Sequence, residues 1–400
     1  MDPMLKENVF LPISDKELNR RWTAVRSAMR EEEIDCLVVQ NSEAHMGGYI
    51  RWFIDIPTKF GTPATVLFPA EDEMTVITEG NTPELVLPEW MMRGIKENIV
   101  RPYYRSIHYT DHLDGQEAVK FIKKNGYKKL GIVAKGLMSA CFYEYLKENL
   151  TDVVFVDATD LVDNIKCIKS EEEIARIYDT ADIVGAAFAA IPAFIRPGRK
   201  EYEVANDIRH ILCDLGSEEQ LIMVCSAPMG QHAAHKMPFL MNRTLQKGDQ
   251  VMVMLEVSGP GGFYQEVGRT FVIGEPSRRL EDAWMAARDA QRRAAEILKE
   301  GATPADICHI NNNYMERRGF PSRDMIFAHG QGYELAERPV IYDMETMVIR
   351  SNMNIAVHPF GISETEYVFC CDNFLTGPDG AEPLSKVPLE LMTAQTGPWY

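Results

Sequence analysis

A pair of apolar segments joined by a glycine-rich turn constrains the fold of this chain more than any other feature of its sequence. The first segment, Val251–Leu255, leads into Glu256, and the turn Gly259–Gly262 reads Gly-Pro-Gly-Gly. The second segment, Phe263–Val272, contains Glu266. Such a turn between apolar runs predicts a β-hairpin, in which Glu256 and Glu266 can face each other across neighbouring strands. Two carboxylates so placed repel each other unless a cation or a proton lies between them.

Short apolar runs alternate with amphipathic helical segments through the first 160 residues. Asp15–Glu32 carries polar and apolar residues at helical spacing. Runs with the length and composition of buried strands are Ile34–Gln40, Ala64–Phe68, Met74–Thr78, Leu130–Ala134 and Val153–Val156. Strands interleaved with helices predict an α/β domain built in layers.

The residues after 160 carry longer helix signals. Ser170 followed by Glu173 is a capping-box pair, which predicts a helix from Glu171 to about Ile195. Two more helices are predicted over Glu201–Leu215 and Leu280–Lys299.

A weak internal repeat runs through the same region. The predicted helix Glu201–Leu215 begins after Pro197-Gly198 and ends at Gly216, 18 residues after Gly198. Gly301 precedes a helix that ends at Gly319, again 18 residues later. A duplicated helix–turn–helix element predicts a pseudo-symmetric domain whose site lies between its halves.

Charge and cysteine content exclude several classes of protein. Lys and Arg number 42 against 59 Asp and Glu, and the net charge of −17 disfavours nucleic acid and anionic membranes as partners. The eight cysteines form no Cys-x-x-Cys pair, and no run of 18 uncharged apolar residues or signal-peptide pattern is seen. We therefore expect a cytoplasmic protein with reduced thiols and no membrane span.

Side chains that bind metals or transfer protons are concentrated in the second half of the chain. Imidazole and carboxylate are ligands of zinc, iron and manganese, although the spacing here matches no short metal motif. The residue types alone leave open a metal site, an acid–base site, or packed histidines with solvated glutamates. The candidates are His232, His235, Glu256, Glu266, His329, His358, Glu364 and Glu366.

Several short motifs then occur in a recognisable order. They are Ile168-Lys169-Ser170-x-x-Glu173, Pro197-Gly198-x-x-Glu201, Lys247-Gly248-Asp249, Gly268-Arg269-Thr270-Phe271 and His329-Gly330-x-Gly332. With them the chain resembles the creatinase, prolidase and aminopeptidase P family over nearly its whole length. The resemblance implies an α/β creatinase-type accessory domain over residues 1–160. It implies an α+β pita-bread catalytic domain, as in methionine aminopeptidase, over residues 161–400.

The resemblance also implies a homodimer, in which the accessory domain completes the active site of the neighbouring subunit. The residues expected to contact substrate from that domain are Arg51, Trp52, Phe60 and Thr62. Their alternative role is packing within their own domain. Glu366 is a further candidate for substrate binding.

Peptidases of the family hold two metal ions with Asp, Asp, His, Glu and Glu side chains. Carried over by position, Glu266 takes the place of the second Asp, and His329 that of the histidine. His358 takes the place of the first Glu, and Glu364, or else Glu366, that of the last.

Other positions depart from the family pattern. Met254 occupies the place of the first Asp, and Glu256 lies where the dimethylsulfoniopropionate lyases of this fold carry an extra ligand. His235 fits the catalytic histidine, with His232 as its rival, and Ala336 replaces a second family histidine. Arg269 either orients a carboxylate ligand or forms a structural salt bridge. These substitutions favour at most one divalent ion of iron, zinc or manganese per chain, and a metal-free site is the alternative.

The resemblance implies an enzyme acting on a small-molecule substrate. Our first interpretation is a creatinase-like hydrolase that cleaves a C–N bond in a small amino-acid-like or zwitterionic substrate. In it His235 serves as acid–base within a pocket of Glu and His side chains, and the altered ligands predict weak peptidase activity. The alternatives are a metal-dependent Xaa-Pro peptidase of the prolidase type, a C–S lyase of the dimethylsulfoniopropionate lyase type, and a non-catalytic binding protein.

Overall fold

The computed structural model describes residues 11–41, 48–58, 62–80, 89–102, 110–321 and 325–394. The chain divides into two units, Pro12–Lys166 and Cys167–Tyr400, and Leu11 belongs with the second. The predicted domain boundary after residue 160 lies within the last helix of the first unit, Thr159–Lys166.

The N-terminal unit is one sheet with helices packed on it. Its described helices are α1 (Asp15–Glu31), α2 (Gly48–Ile54), α3 (Leu113–Asn125), α4 (Ala140–Asn149) and α5 (Thr159–Lys166). Its described strands are β1 (Cys36–Asn41), β2 (Ala64–Pro69), β3 (Met74–Gly80), β4 (Ile95–Pro102), β5 (Lys129–Val133) and β6 (Val154–Asp157). They lie in the order β4-β3-β2-β1-β5-β6, with β1 parallel to β5 and antiparallel to β2.

The local sequence explains most of this unit. Ser14 accepts a hydrogen bond from the backbone of Glu17 and so begins α1. The five predicted strands are present with shifts of one or two residues at their ends. The sequence does not predict β4, because this edge strand has only Ile95 fully buried and lacks an apolar run.

The C-terminal unit contains long helices and several sheets. Its described helices are α6 (Glu171–Phe194), α7 (Glu201–Asp214), α8 (Arg278–Ile297) and α9 (Pro304–Arg317). Its first strands are β7 (Glu219–Pro228), β8 (Asp249–Ser258) and β9 (Tyr264–Val272). The later strands are β10 (Ala328–Gly330), β11 (Glu337–Val340), β12 (Asn354–Val357), β13 (Phe360–Ile362), β14 (Tyr367–Phe369), β15 (Asp372–Thr376), β16 (Ala381–Pro383) and β17 (Met392–Thr393).

Two of the sheets in this unit carry the residues of interest. One has the strand order β17-β9-β8-β7, and the other has the order β11-β10-β12-β15-β16. A backbone bridge between Gly268 and Cys371 and a hydrogen bond from the Glu266 amide to the Asn373 side chain connect them. The two sheets therefore meet beside Glu266.

The helix α6 begins at the predicted capping box of Ser170 and Glu173, whose two reciprocal hydrogen bonds are both present. It is long and apolar enough to cross a membrane by length and composition alone. Its residues Val184, Phe188 and Ile191 are fully buried in the same apolar core as residues of β8. This packing accounts for its apolar composition.

The internal repeat is visible at the helix boundaries. Gly198 and Gly301 precede α7 and α9, and Gly216 and Gly319 follow them. All four adopt positive φ angles between 83° and 91°. L-residues with a Cβ rarely adopt this left-handed conformation, which explains glycine at equivalent points of the two halves.

The predicted hairpin is formed by β8 and β9, and Glu256 lies directly opposite Glu266 in its register. Every residue of both strands is buried. Val251, Val253 and Leu255 face the core beneath α6, while Met252 and Met254 belong to a second cluster on the other face. Glu256 and Glu266 therefore project from the face turned away from α6.

Arg269 is a structural residue on the face of β9 opposite Glu266. Its side chain is 0% exposed and donates to Asp372 Oδ1 at 2.8 Å. It also donates to the backbone carbonyls of Cys371, Val387 and Pro388. The sequence left two roles open for Arg269, orienting a carboxylate ligand or forming a structural salt bridge. In the structure Arg269 forms a buried salt bridge with Asp372.

Replacing Arg269 with methionine is expected to lower the free energy of unfolding by about 3–5 kcal/mol, because Asp372 would stay buried without its partner. Denaturant titration of the two proteins measures this difference. Lys386→Met is the matched control, since Lys386 pairs with Asp182 at the surface, where the two side chains are 81% and 67% exposed. It should cost less than about 1 kcal/mol. Equal effects of the two changes would contradict the structural role of Arg269.

Candidate metal centre

Three predicted ligands, Glu266, His329 and His358, come together where the two sheets meet. Glu266 lies on β9, His329 on β10, and His358 directly after β12, the strand paired with β10. One ligand atom from each lies within 4.8 Å of the others. His329 Nε2 is 3.6 Å from Glu266 Oε2, and the two imidazole centroids are 5.1 Å apart. We call this group the triad.

The imidazoles of the triad are oriented for ligation. His329 Nδ1 donates to the carbonyl of Gly330 at 2.9 Å, and since a carbonyl only accepts, the lone pair of the neutral imidazole lies on Nε2. His358 Nδ1 is buried and has no hydrogen-bond partner. An orphaned buried nitrogen beside a carboxylate and a second imidazole fits one divalent ion.

The electrostatics favour the metal-binding protonation states of Glu266 and His358, whereas the Glu266 carboxylate favours the protonated form of His329. Burial opposes ionisation of Glu266, but the nearby His358 and His329 rings lower its pKa to about 2. Burial lowers the pKa of His358 to about 4. Burial also lowers the pKa of His329, but the stronger combined effect of Glu266 raises it. Glu266 is thus ionised and His358 neutral near pH 7, the forms required of ligands.

Glu256 lies beside the triad without joining it. Burial and the charge of Glu266 raise the pKa of Glu256 well above its usual range. Its carboxyl accepts a hydrogen bond from Gln331 Nε2 at 2.9 Å, and Asn373 in turn donates to Gln331. The repulsion anticipated from the hairpin therefore favours the neutral form of the Glu256 carboxyl.

Sulfur-containing side chains occupy the neighbouring part of the same sheet face. Met254 and Cys371 lie in a buried cluster with Cys225, Met252 and Phe369. Burial raises the pKa of the Cys371 thiol well above its usual range, so it stays protonated. Among the described residues, the triad is the one group of three or more His, Cys, Asp and Glu side chains close enough to hold an ion. Within the described ranges, the triad is therefore the candidate site for a divalent ion.

The two candidate catalytic histidines have different surroundings. His235 Nδ1 is 2.8 Å from the Tyr367 hydroxyl, and its Nε2 is buried without a partner. Burial lowers the pKa of His235, against the opposing charge of Glu266. His232 Nε2 instead lies 2.7 Å from the backbone carbonyl of Ser363, to which it donates. His235 is therefore the histidine with a nitrogen available beside the triad.

The structure does not bring the remaining candidates to the triad. Glu364 is exposed, and Glu366 accepts hydrogen bonds from Arg279, Ser363 and Thr365. Both glutamates lie in the turn between β13 and β14, and the sequence around them fixes neither their depth nor their partners.

The candidates from the accessory domain have mainly structural surroundings. Arg51 and Trp52 lie on α2 and are buried within the N-terminal unit, at 6% and 1% exposure. Thr62 is half-buried before β2, and Phe60 lies outside the described residues. Arg51 and Trp52 therefore pack within the N-terminal unit, which was the alternative to contacting substrate.

Sequence reasoning also missed three residues that support the site. Gln331 and Asn373 form the network beneath Glu256 and Glu266, and Tyr367 contacts His235. Gln331 is the variable residue of the His-Gly-x-Gly motif, so its place beside His329 could have identified it as a neighbour of the site. No local pattern distinguishes Asn373 or Tyr367.

Two imidazoles and one carboxylate are a donor set of catalytic metal sites. The fold and the triad accordingly define a metallohydrolase. The chain belongs to metallopeptidase family M24, whose model matches residues 175–378, and the Creatinase/Prolidase N-terminal domain matches residues 21–168.

Individual relatives agree with this membership. The chain is 28% identical to the Xaa-Pro dipeptidase of Pyrococcus horikoshii over 276 residues, covering 66% of this chain and 77% of that one. It is 27% identical to the uncharacterized hydrolase/peptidase y4tL of Sinorhizobium fredii over 97% of this chain and 99% of the relative. The fold of the Xaa-Pro dipeptidase from Bacillus anthracis matches with a TM-score of 0.76 at 24% identity, over 94% and 99% of the chains.

These comparisons confirm the predicted family and the two-part architecture of accessory and pita-bread folds. They also agree with a hydrolase. Between the two hydrolase interpretations, the names of the relatives favour the prolidase-type alternative over the creatinase-like one.

Proposed function

We propose that this protein is a prolidase-type dipeptidase that uses one divalent metal ion and cleaves the C–N bond of a small dipeptide. The observation that carries the proposal is the triad, which gathers one carboxylate and two imidazoles within 4.8 Å. The relatives named Xaa-Pro dipeptidase support a dipeptide as the substrate class.

Glu266, His329 and His358 would hold the ion. A divalent ion in such a site polarises a carbonyl and makes a bound water more acidic. His235 Nε2, buried beside the aromatic rings of Phe360 and Phe369, supplies a polar group for the scissile bond. The apolar rings around it exclude water and strengthen its hydrogen bond to the substrate.

The creatinase-like alternative requires glutamates that grip a cationic substrate group. Burial and the charge of Glu266 raise the pKa of Glu256, Glu364 is exposed, and Glu366 is paired with Arg279. Glu266 is the buried carboxylate of the predicted set whose pKa is lowered by histidines, and two imidazoles flank it. This arrangement suits a metal ion better than a guanidinium or ammonium group.

Hydrolysis of an Ala-Pro dipeptide by the purified protein is expected to depend on a divalent ion. Treatment with a chelator should abolish the activity, and adding back manganese, zinc or iron should restore it. Creatine and dimethylsulfoniopropionate serve as comparison substrates and should not be consumed. Chelator-resistant cleavage of creatine would contradict the proposal in favour of the creatinase-like alternative.

A further inference from the structure

Tyr367 holds the ring of His235 in one orientation. The phenolic oxygen of Tyr367 lies 2.8 Å from His235 Nδ1, and the two rings meet edge to face at 85°. Phe369 contacts the same imidazole at a centroid distance of 4.7 Å. The imidazole thus presents Nδ1 to Tyr367, while Nε2 is buried and has no hydrogen-bond partner in the described part of the chain.

The direction of the hydrogen bond follows from the chemistry of the two groups. Burial raises the pKa of Tyr367, so the phenol keeps its proton. A phenol is the more acidic donor and a neutral imidazole nitrogen the better acceptor, which favours donation from the Tyr367 hydroxyl to His235 Nδ1 at 2.8 Å.

We propose that Tyr367 is a positioning residue that fixes His235 as the Nε2–H tautomer, so that the imidazole presents a hydrogen-bond donor to the substrate. The inference rests on the proposed function, in which the scissile group lies between the triad and His235. Under this proposal His235 is a hydrogen-bond donor to the substrate and not a general acid–base. In this tautomer Nε2 has no lone pair with which to take a proton, so His235 donates to the substrate and does not act as a base.

The variant Tyr367→Phe tests this directly, because it removes the hydroxyl and keeps the ring that contacts His235 and Phe360. The protonation of each His235 nitrogen is read by ¹⁵N NMR of the zinc-loaded protein, with signals assigned by their loss in His235→Gln. In the parent we expect a proton on Nε2 and none on Nδ1. In Tyr367→Phe we expect both tautomers, a fall in kcat of about 10- to 100-fold, and little change in KM or zinc content.

Tyr178→Phe is the matched control, since Tyr178 is 40% exposed on α6. It should leave the tautomer and kcat unchanged. A parent His235 protonated at Nδ1, or a tautomer that stays the same in Tyr367→Phe, would overturn the inference. A parent protein without dipeptidase activity would count against the proposed function, while the NMR result alone decides the role of Tyr367.

Discussion

Replacing His329 with alanine is expected to remove the bound metal ion and to lower dipeptide turnover by at least about 10³-fold. His329 supplies one of three donors, and its Nδ1 bond to Gly330 leaves Nε2 directed at Glu266. Loss of a charge-stabilising ion costs several kcal/mol in the transition state, and each ~1.4 kcal/mol is tenfold in rate. Elemental analysis and turnover measured on the same preparation check both parts of this prediction.

His309→Ala is the matched control for this change. His309 is 61% exposed and pairs with Asp343 at the surface, whereas the imidazoles of the triad are buried. The control should retain its metal and its activity. If His329→Ala kept a full complement of metal, the triad could not be the metal site.

Replacing His235 with alanine is expected to lower kcat by about 10²- to 10⁴-fold while leaving the metal content unchanged. The variant loses His235 Nε2, a buried imidazole nitrogen that has no hydrogen-bond partner among the residues described. Steady-state kinetics, with metal analysis on the same sample, separate this effect from loss of the ion.

His232→Ala provides the comparison, because His232 already donates to the carbonyl of Ser363. Its removal should affect the segment that carries Ser363 more than the chemical step, so the fall in kcat should be smaller. The reverse ranking of the two variants would show that His232, three residues earlier, takes the catalytic position.

The parts of the fold that depend on local signals were predictable from the sequence. The capping box of Ser170 and Glu173 and the glycine turn of the hairpin each act within a few residues. The pairing of Glu256 with Glu266 followed from that turn, since a hairpin of this kind fixes its register. The edge strand β4 was not predictable, because it lacks the apolar run of a buried strand.

The site was predictable only in part, because it is assembled from strands far apart in the chain. The order of motifs identified Glu266, His329 and His358, which the structure brings together. The same order suggested Glu364, which the structure leaves exposed. Alternation along a strand indicates the face of a side chain, but its neighbours depend on how β9 meets β15, and no local pattern encodes that contact.

The same limit applies to the residues around the triad. Asn373 reaches the backbone of Glu266 across 107 residues of sequence, and Tyr367 reaches His235 across 132. Their roles follow from the meeting of the two sheets and from the unpartnered nitrogen of His235, both of which arise only in the folded chain.

A metal centre at the triad is tested most directly by calorimetric titration of chelator-treated protein with manganese or zinc, carried out on the parent and on Glu266→Gln. We expect one ion per chain for the parent and no tight binding for Glu266→Gln, whose neutral amide cannot replace the carboxylate of the triad. Two tightly bound ions per parent chain, or unchanged binding by Glu266→Gln, would contradict a single metal centre at Glu266, His329 and His358.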